Sequence, residues 1–152
     1  MNIQIVWGTG KGTTPLSSFD LALAEAGISN FNLIPLTSVI PRGATVEKTH
    51  EYVNRCNRNP GDIVYVVMAR KIMKGPCRIS AGLGWRQSEE GGILLEEEGE
   101  ARDEVAARLD SGLKEMVAAR RWTWNSPADF QVIEEECDDY GCVAVLAVYD
   151  FP

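Results

Sequence analysis

A single histidine, four scattered cysteines, no basic excess and no long apolar run set the first limits on this 152-residue chain. His50 is the only imidazole, and Cys56, Cys77, Cys137 and Cys142 fall at spacings that make neither a CxxC pair nor a zinc knuckle. That argues against structural zinc, which needs four closely spaced Cys or His ligands, and against a dithiol redox centre. Separate reduced thiols are the expectation for a cytoplasmic protein. Lys and Arg number 15 against 22 Asp and Glu, a net charge of -7. The sign is wrong for a protein that grips a phosphate backbone, so no nucleic-acid partner is expected. Nothing approaches the roughly 18 apolar residues of a membrane span, and the first residues lack a positive leader with an apolar core. A cytoplasmic protein with no membrane partner is expected. The length suits one domain.

What is present reads as alternating short strands with two helices. Residues 2–7 are rich in Ile and Val and suit a strand. Residues 8–14 then read as a flexible glycine loop. Thr14 is placed to N-cap a helix, Pro15 to open it, and Gly27 to close it, with Leu16, Phe19 and Leu23 on one face. Further strands are expected at 31–36, 63–69, 78–85 and 93–95, with turns at 41–43, 59–62, 71–76 and 87–91. Residues 50–58 read as irregular or briefly helical. The small residues Ala81, Gly82 and Gly84 leave room for close approach by another chain or a ligand. A helix over 103–121 has Val105, Leu109, Leu113, Met116 and Val117 on one side, acidic residues first and Arg120-Arg121 last. Residues 130–135 and 142–149 read as a closing hairpin. This order argues for an α+β fold with helices covering sheets.

Four stretches carry chemistry only in combination. Residues 12–20 (GTTPLSSFD), 26–34 (AGISNFNLI), 37–41 (TSVIP) and 92–99 (GILLEEEG) occur in that order. Together they resemble the pyruvoyl-dependent arginine decarboxylases over nearly the whole chain. The resemblance implies an αββα sandwich and a bond, Thr37-Ser38, that the protein cuts itself. In such families the serine hydroxyl attacks the preceding carbonyl to give an ester. β-Elimination then frees the N-terminal piece, and hydrolysis leaves a pyruvoyl group in place of the serine. Residues 1–37 become a β fragment and 38–152 an α fragment within one decarboxylase domain. The pyruvoyl ketone captures an amine, and the adjacent carbonyl takes up the electrons released on decarboxylation. The family frequently has Ser-Ser at this bond; Thr-Ser keeps the nucleophile and changes only the residue that supplies the carbonyl.

By the same resemblance Glu96 is the general acid that returns a proton after carbon dioxide leaves. A carboxyl that donates near neutrality needs burial or neighbouring negative charge. Glu97 and Glu98 adjoin it, although successive strand residues point to opposite faces. Asp20 matches the contact to the substrate guanidinium, whose planar fork pairs with a carboxylate. Asn32 matches a hydrogen-bonding position near the substrate, and Leu16 and Phe19 line its aliphatic part. The substrate implied is L-arginine, the product agmatine, and the assembly a homotrimer of αβ units with sites between protomers.

Without the resemblance each feature has a plainer reading. Thr37 and Ser38 would satisfy a turn, Glu96 to Glu98 a solvated rim, Asp20 a helix surface, and Asn32 a turn-to-strand junction. Two rivals follow. A phosphate- or nucleotide-binding module would use the 8–14 loop, but Lys11 precedes Gly rather than Ser or Thr, so the Walker A pattern fails. A non-catalytic oligomer would keep the Thr37-Ser38 bond intact.

Overall fold

The computed structural model describes residues 1–151. Nine strands and two helices follow one another as β1 (Asn2–Gly12), α1 (Pro15–Glu25), β2 (Asn32–Pro35), β3 (Val39–Ile40), β4 (Thr45–His50), β5 (Ile63–Lys74), β6 (Cys77–Gln87), β7 (Gly92–Gly99), α2 (Arg102–Ala118), β8 (Asp129–Cys137) and β9 (Tyr140–Asp150). The fold is α+β. One sheet, of mixed sense, has the order β2-β5-β9-β1-β4; the other, antiparallel, has β3-β7-β6-β8.

Apolar alternation explains how the elements stack. Ile3, Ile5, Val67, Val143 and Val145 from the first sheet pack with Ile79, Ala81, Leu83 and Leu94 from the second. The opposite face of the first sheet carries Val6, Val64, Val66, Ala144 and Leu146, which meet Ala22 and Leu23 of α1 and Ala26 just after it. Helix α2 places Val105 and Leu109 against Val132 of β8. Strand β9 is buried from Gly141 to Asp150 because it is central in its sheet and covered on both faces. No helix among the described residues is long and apolar enough to cross a membrane.

Local signals act where the sequence places them. Thr14 accepts from the Ser17 N–H and Ser17 reaches back in a capping box, with Pro15 at the first helical position. Gly27, at φ +75°, takes the left-handed position after α1, and the Ile28 N–H closes onto the Leu23 carbonyl. Helix α2 ends at Ala118, so Arg120 and Arg121 lie beyond it, yet the Arg120 guanidinium still donates to the Met116 carbonyl at 2.9 Å.

Several expectations are corrected. Residues 8–14 are no flexible loop: Gly8, Gly10 and Gly12 continue β1 in register with β9 to Tyr140. A Cβ at Gly8 would lie 2.2 Å from the Ala22 carbonyl oxygen, and one at Gly10 2.0 Å from that of Ser18. The glycines let helix backbone rest on strand backbone, which removes the loop that the phosphate-binding alternative needed. Gly10→Ala is therefore expected to cost about 3 kcal/mol, read as a lowered denaturant midpoint, because α1 must shift to admit one methyl. The turn expected at 71–76 is also wrong for its first part, since β5 runs on to Lys74 opposite Tyr140. Finally, β8 and β9 form no hairpin. Strand β8 pairs with β6 in one sheet and β9 with β1 and β5 in the other, so the chain changes sheets at Asp138 and Asp139. Both partners are remote in sequence, where turn chemistry says nothing. Residues 51–58 are irregular, as expected, and only His50 belongs to a strand, closing β4, which pairs in parallel with β1. The room at Gly82 and Gly84 is filled from within the chain, by Val132, Leu109 and Phe130.

One buried polar cluster ties the β4–β5 connection to the first sheet. Gln4 donates to Asp150 at 2.8 Å and to the Val53 carbonyl at 2.9 Å, and the Tyr52 hydroxyl donates to Asp150 at 2.9 Å. Burial first, and the bond to Asp150 second, push the Tyr52 phenol up to about 12. An unfolded tyrosine titrates near 10. The cluster's stabilisation is thus complete below pH about 10 and is lost as pH rises toward 12. Tyr52→Phe should flatten this alkaline fall in stability, measured as denaturant midpoints between pH 8 and 11.

Candidate active site

The Thr37-Ser38 bond lies where the chain leaves one sheet for the other. Strand β2 pairs in parallel with β5 as far as Pro35 opposite Val66, and the Leu36 N–H still donates to the Val66 carbonyl at 2.8 Å. Pro35 has no N–H to continue the ladder and sits on an edge strand, where that loss is tolerated. With two residues between, Val39 and Ile40 pair antiparallel with Ile93 and Gly92 of β7. Thr37 and Ser38 are the crossing.

Four hydrogen bonds shape this crossing. The Ser38 carbonyl accepts from the Leu94 N–H at 2.9 Å. The Val39 N–H turns back to the Thr37 carbonyl at 2.7 Å, a three-residue turn centred on Ser38. The Ser38 hydroxyl donates to Glu96 Oε2 at 2.7 Å, joining residues 58 positions apart. From β9, the Tyr149 hydroxyl donates to the Val39 carbonyl at 2.9 Å. Burial, and secondarily the charge of Glu96, hold this phenol well above the ordinary tyrosine range, so it stays a donor.

A cavity of ≈ 240 Å³ opens beside Glu96, lined by Met68, Ala69 and Arg70 of β5 and by Glu96, Glu97 and Glu98 of β7. Along this stretch β5 has run past the end of β2 and β7 past the end of β3, so the edges of both sheets face the cavity. Its acidic wall is partly neutralised: Glu97 pairs with Arg108 of α2 at 3.2 Å and Glu98 with Lys71 at 3.9 Å. The Arg70 guanidinium lies over the Phe19 ring at 4.6 Å. A second cavity, ≈ 80 Å³ beneath α2 and lined by Arg86, Asp110, Leu113 and Lys114, holds none of the candidate site residues.

The other sequence candidates stand apart from this pair. Asp20 and Leu16 lie on the exposed side of α1, Leu16 at 75% exposure, and Phe19 reaches the cavity only through Arg70. Asn32 is exposed at the start of β2 and donates to the Gly61 carbonyl at 2.7 Å. Within one chain, then, Ser38 and Glu96 meet, while Asp20, Leu16 and Asn32 face outward. Sequence reading missed Tyr149 and the donors Leu94 N–H and Val39 N–H. Tyr149 sits in an unbroken apolar run and reads as core; main-chain donors carry no sequence signal at all.

Comparison with known proteins places the chain in a family. The family model described as "Pyruvoyl-dependent arginine decarboxylase (PvlArgDC)" matches residues 2–151. A pyruvoyl-dependent arginine decarboxylase of Halobacterium salinarum is 32% identical over 151 residues, covering 97% of this chain and 92% of its own. One from Methanothermobacter thermautotrophicus is 31% identical over 124 residues, 79% of this chain and 78% of the relative. Pyruvoyl-dependent arginine decarboxylase 2 of Archaeoglobus fulgidus is 43% identical over 68 residues, 45% and 42% of the two chains. With the match running from the first strand to the last, the chain belongs to the pyruvoyl-dependent arginine decarboxylase family.

Proposed function

We propose that this protein cuts itself between Thr37 and Ser38 and then decarboxylates L-arginine to agmatine and carbon dioxide. Membership of the family implies a covalent pyruvoyl group, and Ser38 is the residue that would become it. The observation that carries the reading is the hydrogen bond from Ser38 Oγ to Glu96, with the Val39 N–H already on the neighbouring Thr37 carbonyl. Glu96 accepts the hydroxyl proton as Oγ bonds to the Thr37 carbonyl carbon. The Val39 N–H steadies the charge that develops on that oxygen. The Thr37–Ser38 C–N bond then breaks and the Ser38 nitrogen takes up a proton, leaving an ester. Loss of the Ser38 Cα proton expels Thr37 as a carboxylate, and water replaces the nitrogen as ammonia to leave the ketone.

The residues around Ser38 fit the group. The Leu94 N–H holds the Ser38 carbonyl and Tyr149 holds Val39, so the new end of the 38–152 fragment stays anchored beside the cavity. When present, the pyruvoyl group supplies an electron sink for decarboxylation. Leu94 polarises the carbonyl next to it, and Glu96 delivers the proton that replaces the lost carboxylate.

The wider reading is one domain, an αββα sandwich, working in the cytoplasm as a homotrimer. Its support is that α1 covers the first sheet and α2 the second, and that Asp20 and Leu16 are turned away from their own Ser38. A neighbouring protomer's α1 would bring Asp20 to the guanidinium, Leu16 and Phe19 to the aliphatic chain, and Asn32 would complete the polar contacts. Mixing tests this sharing. Trimers assembled from Asp20→Ala and Glu96→Gln chains should recover activity that neither variant has alone, since some sites then combine two intact halves. No recovery in verified mixed trimers would place each site inside one chain.

Intact masses under denaturing conditions test the whole proposal. Two fragments broken before residue 38, the larger reactive toward a carbonyl reagent and active on arginine, are expected. Turnover should fall for lysine and ornithine, which lack the fork that Asp20 would pair. Uncut chain after prolonged incubation, or cut chain giving no amine from any basic amino acid, would overturn it.

A further inference from the structure

The four thiols are not equivalent, and two of them are set against each other. Cys77 opens β6 and Cys137 closes β8, directly opposite in the antiparallel ladder. Both belong to the face that meets the other sheet: Cys137 is in the core between the sheets and Cys77 packs against it. Residues directly opposite in such a ladder have Cα atoms about 4.5–5.5 Å apart, within the range of about 4.4–6.8 Å that a disulfide spans. Gly141 fixes the Cys137 sulfur from behind. A Cβ there would lie 1.9 Å from Sγ, so the sulfur rests against bare backbone. The remaining thiols offer no competition. Cys142 belongs to the opposite face of its sheet, with the α1 cluster, and Cys56 is exposed in the β4–β5 connection.

We infer that Cys77 and Cys137 are a modification site, joined by a reversible disulfide when a peroxide is present. The two sulfurs divide the work by exposure. Cys77 is half-buried and open to a small oxidant, whereas Cys137 is buried, its thiol pushed up to about 11 by burial and by the adjacent Cys77. Cys77 gives up its proton and its sulfur attacks one peroxide oxygen. The O–O bond breaks to give a sulfenic acid, and the departing hydroxide takes that proton to leave as water. The Cys137 sulfur then displaces that hydroxyl, which leaves with the Cys137 proton as a second water. Two thiols and one hydrogen peroxide thus become one disulfide and two waters, and a dithiol reductant reverses the bridge.

The bridge lies entirely within residues 38–152, so it forms whether or not the chain is cut after Thr37. It encloses β7 and α2 with Glu96 inside the loop. A cytoplasmic disulfide of this kind is of the redox-sensing rather than the permanent type.

Purified protein treated with hydrogen peroxide, quenched and alkylated, tests this. Before alkylation, the expected result is a mass loss of about 2 Da on the 38–152 segment. Two of the four thiols should remain alkylatable, with peptides holding Cys77 and Cys137 linked and freed again by dithiothreitol. Cys77→Ser, at the half-buried position, should retain three alkylatable thiols and form no link. Four free thiols after treatment, a gain of oxygen on Cys77 without a link, or a link through Cys56 or Cys142 would each overturn the assignment.

Discussion

Ser38→Ala is expected to stay one chain indefinitely and to turn over no arginine above background. The substitution removes Oγ, which is both the nucleophile of the proposed cut and the only bond from this residue to Glu96. It leaves the main-chain frame alone: the Leu94 N–H still meets the residue 38 carbonyl, Tyr149 still holds Val39, and β3 still pairs with β7. Stability should therefore change little, since one exposed side-chain bond is worth about 0.5–1.5 kcal/mol. Intact mass, carbonyl-reagent labelling and carbon dioxide release check the three parts. A cut or active Ser38→Ala protein would place the nucleophile elsewhere.

Glu96→Gln should separate the two duties assigned to that carboxylate. Glutamine keeps the shape and accepts the Ser38 hydrogen bond but neither takes nor returns a proton. Loss of a positioned acid or base costs about 10² to 10⁴ in rate. The cut should slow by a factor in that range, and turnover per mole of cut chain should drop by a similar factor, with KM nearly unchanged. Measuring both rates on the same preparation matters. A slow cut followed by full turnover would confine Glu96 to processing, and the reverse pattern would confine it to the reaction on arginine.

The contrast between what the sequence declares and what it hides follows from the range of the interactions. Thr14, Pro15 and Gly27 act on backbone within a few residues, and α1 begins and ends where they say. Val105, Leu109 and Leu113 repeat at helical spacing and are the buried face of α2; Met116 and Val117, at the helix end, are only half-buried. Residues 8–12 carry the same glycines that make loops. What decides their state is α1 lying 2.0–2.2 Å from where Cβ atoms would stand, a tertiary fact. Strands β8 and β9 are split between two sheets by partners remote in sequence, so a turn-like DDYG between them looks like a hairpin and is not one. The site divides along the same line. Ser38 and Glu96 were legible only through family resemblance. Their 2.7 Å approach depends on β3 pairing with β7, and no local pattern encodes that.

Strand β1 lies between β9 and β4, inside its sheet rather than at the edge. A cut after Thr37 would thus leave the smaller piece woven into the larger, held by a full strand ladder on one side, a parallel pairing on the other and α1 packed across both. Such a pair cannot separate without unfolding, so the two pieces should copurify through any native step. Heating changes the account. The uncut chain can refold by itself, but melted fragments must find each other in solution, a second-order encounter that slows on dilution. The mature protein would melt once and recover poorly, while its uncut Ser38→Ala counterpart regained its structure. The cut would make folding a one-way event, completed before the chemistry it enables begins.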